Sequence, residues 1–335
     1  MAELIDNGLK FFKKEIVFCI SVILAIVSCF FAKPRISYIN WDTIVLLFVI
    51  MLVVEVLKNL AIFEMLVRKL LAKIGNAREL VFVLVFTCFL SSIFITNDVS
   101  LIIFVPFSIL ALKKVNRIDL IIFTVCLQTI AANVGCMVLP IGAPHNIVMY
   151  TVSKIPFESF LLLLLPYIIV SVVFLAILLF FIPKDQINLP AMKKIERDSE
   201  HFLKRVFLGV DYYLLLTFIA LFILIGNLEH ISLFNSLFTK SIMGNEVLWG
   251  IISSQVISNV PAAMLLSGFS SNYEAIIVGI NIGGFGTLIA SMANLISYKI
   301  LVREHDDFKI KYLIIFSLLN VILLVILFGV YCFTP

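Results

Sequence analysis

Charge is scarce in this chain of 335 residues: 14% are Asp, Glu, Lys or Arg, and there are only four histidines and two tryptophans. The six cysteines (Cys19, Cys29, Cys88, Cys126, Cys136 and Cys332) lie in or beside apolar segments with no metal-ligand spacing. They read as small buried hydrophobes. No paired catalytic acids, histidine cluster or nucleophile–base arrangement occurs, and no nucleotide-binding motif. These absences argue against an enzyme, a resident metal or cofactor, a nucleic-acid partner, and a pump that hydrolyses ATP by itself.

What is abundant is apolar surface. Hydrophobic residues make up 62% of the chain and its mean hydropathy is +1.15, far above a soluble domain. A bilayer-spanning helix needs roughly 20 mostly apolar residues. Segments 16–32, 41–58, 157–183, 209–228 and 311–333 meet that length, while 117–151 and 272–302 are long enough but broken by Gly, Pro and Asn. The expected class is an all-α polytopic membrane protein whose partner is the lipid bilayer. The first run, "KFFKKEIVFCISVILAIVSCFFA", has a basic start like a signal sequence. Its long core, followed at once by more spans, is better read as an uncleaved helix within an N-terminal unit, 1–40.

The distribution of basic residues orients the chain. With a cytoplasmic N-terminus and alternating spans, 21 of the 25 Lys and Arg fall inside; only Lys33, Arg35, Lys154 and Lys240 fall outside. That split obeys the positive-inside rule and sends the C-terminus to the outer side of the cell membrane. The polar stretch "PKDQINLPAMKKIERDSEHFLKR" (183–205) marks a cytoplasmic linker, 184–206, that divides the chain into halves 41–183 and 207–335.

The halves repeat a pattern. "SSIFITNDVSLIIFVPF" (91–107) returns as "SSQVISNVPAAMLLSGF" (253–269), with Ser91/Ser253, Ser92/Ser254, Ile95/Ile257, Asn97/Asn259 and Phe107/Phe269 identical. "ANVGCMVLPIGAPHNIVMY" (132–150) aligns without gaps on "INIGGFGTLIASMANLISY" (280–298), matching Asn133 to Asn281, Gly135 to Gly283 and Asn146 to Asn294. "DTIVLLFVIML" from Asp42 roughly matches "DYYLLLTFIAL" from Asp211. Three blocks in the same order make an internal repeat. Each half then reads as a span, an amphipathic arm (59–76, 229–244), a hairpin (78–112, 245–270), a broken span (117–151, 272–302) and a closing span. The returning hairpin arms look only about 10–14 residues long, too short to cross, so the hairpins are expected to be re-entrant. Three crossings per half then make the second repeat inverted, the design of secondary transporters with a midplane site.

Irregular backbone at membrane depth is tolerated where it is buried in protein or lines a wet cavity. The candidate binding residues are therefore Thr96, Asn97 and Asp98 at one tip and Ser258, Asn259 and Pro261 at the other. The breaks add Asn133, Gly135, Gly142 and Asn146, and Asn281, Gly283, Gly284, Thr287 and Asn294. Helix N-termini at a break attract anions, and freed carbonyls with Thr96, Ser258 and Asn oxygens offer cation ligands. Sodium at the hairpin tips is thus one expectation. Asp98 faces Val260 in the alignment and is the single acid at either tip. It carries coupling chemistry, by protonation or cation binding, or caps the returning helix, and the two roles can coexist. His145 is a weaker proton-coupling candidate, since a lone buried His is as easily a satisfied neutral side chain. Glu55 and Asp42 sit toward the ends of their span, where snorkelling or capping is cheap, and are left out of the site.

"TNDVSLIIFVP", "SNVPAAMLL" and the paired Asn-x-Gly breaks resemble the ion transporter superfamily, from about Asp42 onward. Within it they are closer to the arsenite-permease-like, anion-permease branch (citrate-transporter-like domain) than to the sodium/dicarboxylate branch. That resemblance implies proton- or sodium-coupled transport of a small anion or neutral oxyacid, such as arsenite, another inorganic oxyanion or a carboxylate. It also implies an elevator-like displacement; a homodimer is a further expectation. A sodium/proton antiporter using Asp98 is the alternative, and a passive anion channel a more distant one.

Overall fold

In lipid, every backbone N–H and C=O must be satisfied internally, and a helix does this within one segment. The computed structural model follows that rule. It describes residues 16–60, 74–187 and 202–333, and these are helical with short connections. The first half contains α1 (Ile16–Ser28), α2 (Trp41–Asn59), α3 (Ala77–Phe94), α4 (Asn97–Lys114), α5 (Ile121–Gly135), α6 (Pro144–Ser153) and α7 (Phe157–Phe180). After the linker come α8 (Phe202–Gly209), α9 (Tyr212–Glu229), α10 (Ser232–Ile242), α11 (Glu246–Ile257), α12 (Asn259–Ser267), α13 (Tyr273–Gly283), α14 (Met292–Glu304) and α15 (Lys309–Phe333).

Side-chain caps set the starts of several helices. Asn40 Oδ1 accepts from Thr43 N–H at 3.0 Å to open α2, and Asp211 Oδ1 accepts from Leu214 N–H at 2.9 Å to open α9. Asn76 does the same for α3 through Glu79 N–H. Each cap satisfies an N–H that the first turn leaves free.

Among the described residues, five helical stretches are long and apolar enough to cross a membrane: Ala77–Phe94, Ile118–Gly135, Phe157–Phe180, Phe202–Glu229 and Asp306–Phe333. Helices α7 and α15 show why. On α7, Phe160, Leu164, Tyr167, Ser171, Leu175 and Leu179 form a buried stripe at helical spacing, yet Leu162, Ile169, Val173, Ile177 and Phe180 are apolar and exposed. A helix apolar on both its packed and its outer face belongs in lipid. The protein is a multi-pass α-helical membrane protein.

Several boundaries differ from the sequence expectation. The returning arm of the first hairpin, α4, has 18 residues, whereas that of the second, α12, has nine. Polar Asn97, Asp98 and Ser100 dilute the apolar signal of α4 without interrupting the helix, and Pro106 is accommodated inside it. Helix α1 closes at Ser28 and not at residue 32, and α2 carries Asp42, Glu55 and Lys58, which make it a poorer span than its length alone implied. The 229–244 arm is α10, whereas most of the 59–76 arm and linker residues 188–201 lie outside the described residues.

The buried apolar side chains form two clusters. The larger joins α3, α4, α5 and α7 to α11, α13, α14 and α15. The smaller joins α2 and α9 to Ile147 and Val148 of α6 and to Val260 and Met264 of α12. At one face the chain is laced together. Ala77 N–H donates to Asp185 O (2.9 Å), Ile187 N–H to Gly75 O (3.0 Å) and Arg78 Nε to Ile182 O (2.7 Å), and Arg117 pairs with Asp185 (2.7 Å). Both ends of the α3–α4 hairpin and the end of α7 therefore meet at a face rich in basic residues.

Candidate functional site

The hairpin tips are short. Between α3 and α4, Ile95 and Thr96 are extended, and α4 begins at Asn97. Asn97 is buried; its Oδ1 accepts Asp98 N–H and its Nδ2 donates to Asn133 Oδ1, both at 3.0 Å. Between α11 and α12 a single residue, Ser258, makes the turn with φ 71° and ψ 153°. That region is populated almost only by glycine. Asn259 follows, buried with its amide against Gly284, and Pro261 sits in the first turn of α12, where no intrahelical N–H is needed.

The breaks are built from the matched blocks. Helix α5 ends at Gly135, a tight turn spans Pro140–Gly142, and α6 opens on Pro144. Helix α13 ends at Gly283, Leu288–Ala290 turns, and α14 opens on Met292. Gly135 and Gly283 let each break approach its hairpin. A Cβ on Gly135 would run into Phe89 O and Ser92, and one on Gly283 would lie 2.7 Å from Ser254 Oγ. Gly142 packs on the Cys136 backbone, which leaves no room for a side chain.

Four asparagines lock the two halves together. Asn133 Nδ2 donates to Asn294 Oδ1 at 2.8 Å, and Asn294 Nδ2 donates to Gly284 O at 3.0 Å. Asn281 Nδ2 donates to Asn146 Oδ1 at 2.8 Å, and Asn146 Nδ2 donates to Cys136 O at 3.0 Å. Under the alignment these are the same pair of bonds with the halves exchanged. Ser291 Oγ adds a bond to Asn133 Oδ1 (3.3 Å), and His145 Nε2 lies 3.3 Å from Asn281 Oδ1. His145 is thus a buried member of the network.

Asp98 behaves differently. It lies in the first turn of α4, where Thr96 makes no side-chain cap, and its own Oδ1 is buried without a hydrogen-bond partner. The capping role is therefore not the one it plays. Thr96 and Asp98 of one tip and Ser258 and Pro261 of the other line a single cavity of about 570 Å³. Glu55, Lys58, Asp211 and Lys299 also face it. Ser258 and Pro261 reach a second, apolar cavity of about 730 Å³ on their other side, bounded by α1 and α9.

The expected residues thus fall into two groups. Thr96, Asp98, Ser258 and Pro261 surround the cavity, while Asn97, Asn133, Asn146, Asn281 and Asn294 form the interlock behind it. Thr287 stands apart: its side chain is exposed, and its N–H donates to Gln255 Oε1 at 2.8 Å. Gln255 was not foreseen. Its Nε2 donates to Gly283 O (2.7 Å) and Phe285 O (2.9 Å), so one amide satisfies three groups of the second break around Gly286, whose φ is 108°. Glu55 corrects the sequence reading. It is buried, bonded to Lys58 at 2.9 Å and pressed against Gly209. The signal was present as one acid in an apolar run, but its burial depends on α8.

Comparison with known proteins gives a consistent picture. The citrate transporter family matches residues 12–273. An uncharacterized transporter of Methanocaldococcus jannaschii is 32% identical over 84% of this chain and 87% of its own length. The Escherichia coli inner membrane protein YbiR is 30% identical over 88% of both. A shorter stretch, 44% of this chain and 30% of the other, is 32% identical to the silicon efflux transporter LSI3 of Oryza sativa subsp. japonica.

Proposed function

Since the chain belongs to the citrate transporter family, and is a membrane transporter of that kind, we propose that it is a secondary active carrier of a small anion or oxyacid. The carrier is coupled to protons or sodium and works by elevator-type alternating access. The observation that carries this is the meeting of both hairpin tips on one cavity, with the partnerless Asp98 carboxylate beside them. A lone intramembrane acid must protonate, take a cation or reach water.

The repeats are inverted in this proposal, with the N-terminus cytoplasmic and the C-terminus outside the cell membrane. The length of α4 does not disturb that. An α3–α4 hairpin that dips and returns adds no crossings, one that crosses twice adds two, and either way each half keeps an odd count. The exchanged hydrogen bonds of the four asparagines support a pseudo-twofold relation between the halves, and the odd crossing count is what makes that relation an inversion.

As substrate, a neutral or weakly charged oxyacid suits the cavity better than a tricarboxylate. Three acids, Glu55, Asp98 and Asp211, face it against two lysines, Lys58 and Lys299. The rice relative's name, a silicon efflux transporter, points the same way. Asp98 also keeps the sodium/proton antiporter in view, with Thr96 and Ser258 oxygens as further cation ligands.

Proteoliposome flux of arsenite, silicic acid and citrate, with and without pH and sodium gradients, tests the proposal. Gradient-driven accumulation is expected for one of the first two; dissipation alone would make the protein a channel. In the Asp98→Asn variant, accumulation driven by the gradient should vanish while substrate-for-substrate exchange continues. Undiminished accumulation at several pH values would remove Asp98 from the coupling step.

A further inference from the structure

The second break carries a feature with no counterpart in the first. Gln255, on α11 one turn before the tip at Ser258, sets its amide against the loop that follows α13. Thr287 N–H donates to Gln255 Oε1 at 2.8 Å, which fixes the orientation of the amide and turns its nitrogen toward the backbone. Three carbonyl oxygens converge on that nitrogen: Gly283 O at 2.7 Å, Phe285 O at 2.9 Å and Ile251 O at 3.4 Å. An amide NH2 has two N–H donors, so the oxygens outnumber the protons they share. Such a convergence of carbonyls is what a broken membrane helix offers a cation. Here it is met by a neutral group, which supplies N–H donors without a charge to desolvate and cannot leave.

In the first half the residue aligned with Gln255 is Ile93, which has no polar side-chain group. The carbonyls aligned with those of Gly283 and Phe285 are Gly135 O and Met137 O, and among the described residues no side chain donates to either. The tips repeat the asymmetry, since Asp98 stands in the half whose break has no amide and Val260 in the half that has one. We infer that the Gln255 amide permanently fills the place a cation would take in the second half, so that the carrier moves one coupling ion per substrate, taken at the first tip and not at both. This rests on the coupled-carrier reading and narrows it. The sodium expected at the hairpin tips becomes a single proton or cation at Asp98, in the cavity that Thr96 and Ser258 share with it.

Gln255→Glu reinstates what the amide replaces, because a carboxylate among three carbonyls is held only with a cation between them. The test is thermal unfolding of the full-length protein in detergent at alkaline pH, in sodium chloride against choline chloride of equal ionic strength. Sodium at roughly ten times its dissociation constant should raise the Tm of Gln255→Glu about 3 °C more than it raises that of wild type. Gln255→Ala, which opens the same room without adding charge, should show an excess of the same sign. An amide that only tied down the loop would give variants whose Tm falls equally in both salts, and that result in both would overturn the inference. In proteoliposomes with the membrane potential clamped, wild-type accumulation of arsenite or silicic acid should follow the first power of the coupling-ion gradient. Dependence on its square would also overturn the inference and leave the carrier reading intact. Absence of any gradient-driven accumulation would instead remove the carrier reading, and the one-ion count with it, whatever the Tm data show.

Discussion

Replacing Ser258 by glycine should make the protein more stable and the transporter worse. Ser258 holds φ 71° and ψ 153° while buried, whereas Thr96 at the matching tip has an ordinary extended backbone with φ −64° and ψ 148°. A non-glycine residue in that region stores about 1–3 kcal/mol of strain. Glycine releases it but loses about 0.4–1 kcal/mol through its greater freedom in the unfolded chain. The net gain is about 1 kcal/mol, a rise in Tm of roughly 2 °C for a long chain. The lost hydroxyl subtracts little, since its nearest partner, Asn259 Oδ1, is 3.5 Å away. Ser258→Ala is the control, because it keeps the Cβ and the strain and removes only the hydroxyl. Its Tm should stay near wild type, so the difference between the two variants isolates the backbone term. Thermal unfolding in detergent measures the stability, and flux in proteoliposomes measures the effect of removing a cavity-lining oxygen, which should depress transport in both. Tm values for Ser258→Gly at or below those of Ser258→Ala would refute the strain argument.

Three further outcomes are expected. In a background without the exposed native cysteines Cys29 and Cys332, Lys184→Cys should label only from the cytoplasmic side and Ser271→Cys only from outside; labelling of both from one side would remove the inversion. Asn97→Ala and Asn259→Ala should each abolish transport in folded protein, since each deletes a buried tip amide worth roughly 1–3 kcal/mol when its partners are left unpaired; normal flux in both would reduce the tips to packing turns. Gly283→Ala should lower stability by about 1–3 kcal/mol, because the new methyl lies 2.7 Å from Ser254 Oγ and 2.9 Å from Gly250 O, and an unchanged Tm would mean that the helices part easily.

The candidate site was legible where the halves use the same residue for the same bond. Asn133 and Asn281 stand in aligned positions because each donates across the interlock, and Asn146 and Asn294 because each accepts there and closes its own break. Gly135 and Gly283 were legible for a similar reason: both permit the close approach of break to hairpin. What broke the pattern was harder to see. Gln255 aligns with Ile93, so nothing in the first half announces it. Glu55 sits near a helix end, where a charge is usually solvated, and only α8 packing against it closes that exit. The backbone of Ser258 carries no sequence mark, since serine gives no sign of a glycine-like turn. The length of α4 was misjudged because hydropathy counts Asn97, Asp98 and Ser100 as interruptions, whereas Asn97 and Ser100 are hydrogen-bonded inside the protein and Asp98 lines the cavity.

The asparagine interlock also governs how the protein comes to exist. The first half can fasten itself as it is made: Ala77, Arg78 and Arg117 tie to residues 182–187 before any of the second half is required. Its asparagines cannot do so fully, because Asn133 Nδ2 and Asn146 Oδ1 find their partners in Asn294 and Asn281 of the second half. A half-synthesised chain therefore sits in the bilayer with its helices packed but unsatisfied amides at its heart, and each such group is costly in hydrocarbon. Completion of the last broken helix is what discharges that cost. A polypeptide truncated before Asn281 would carry the defect permanently and present itself to membrane quality control, whereas two separately encoded halves made in the same cell would rescue one another.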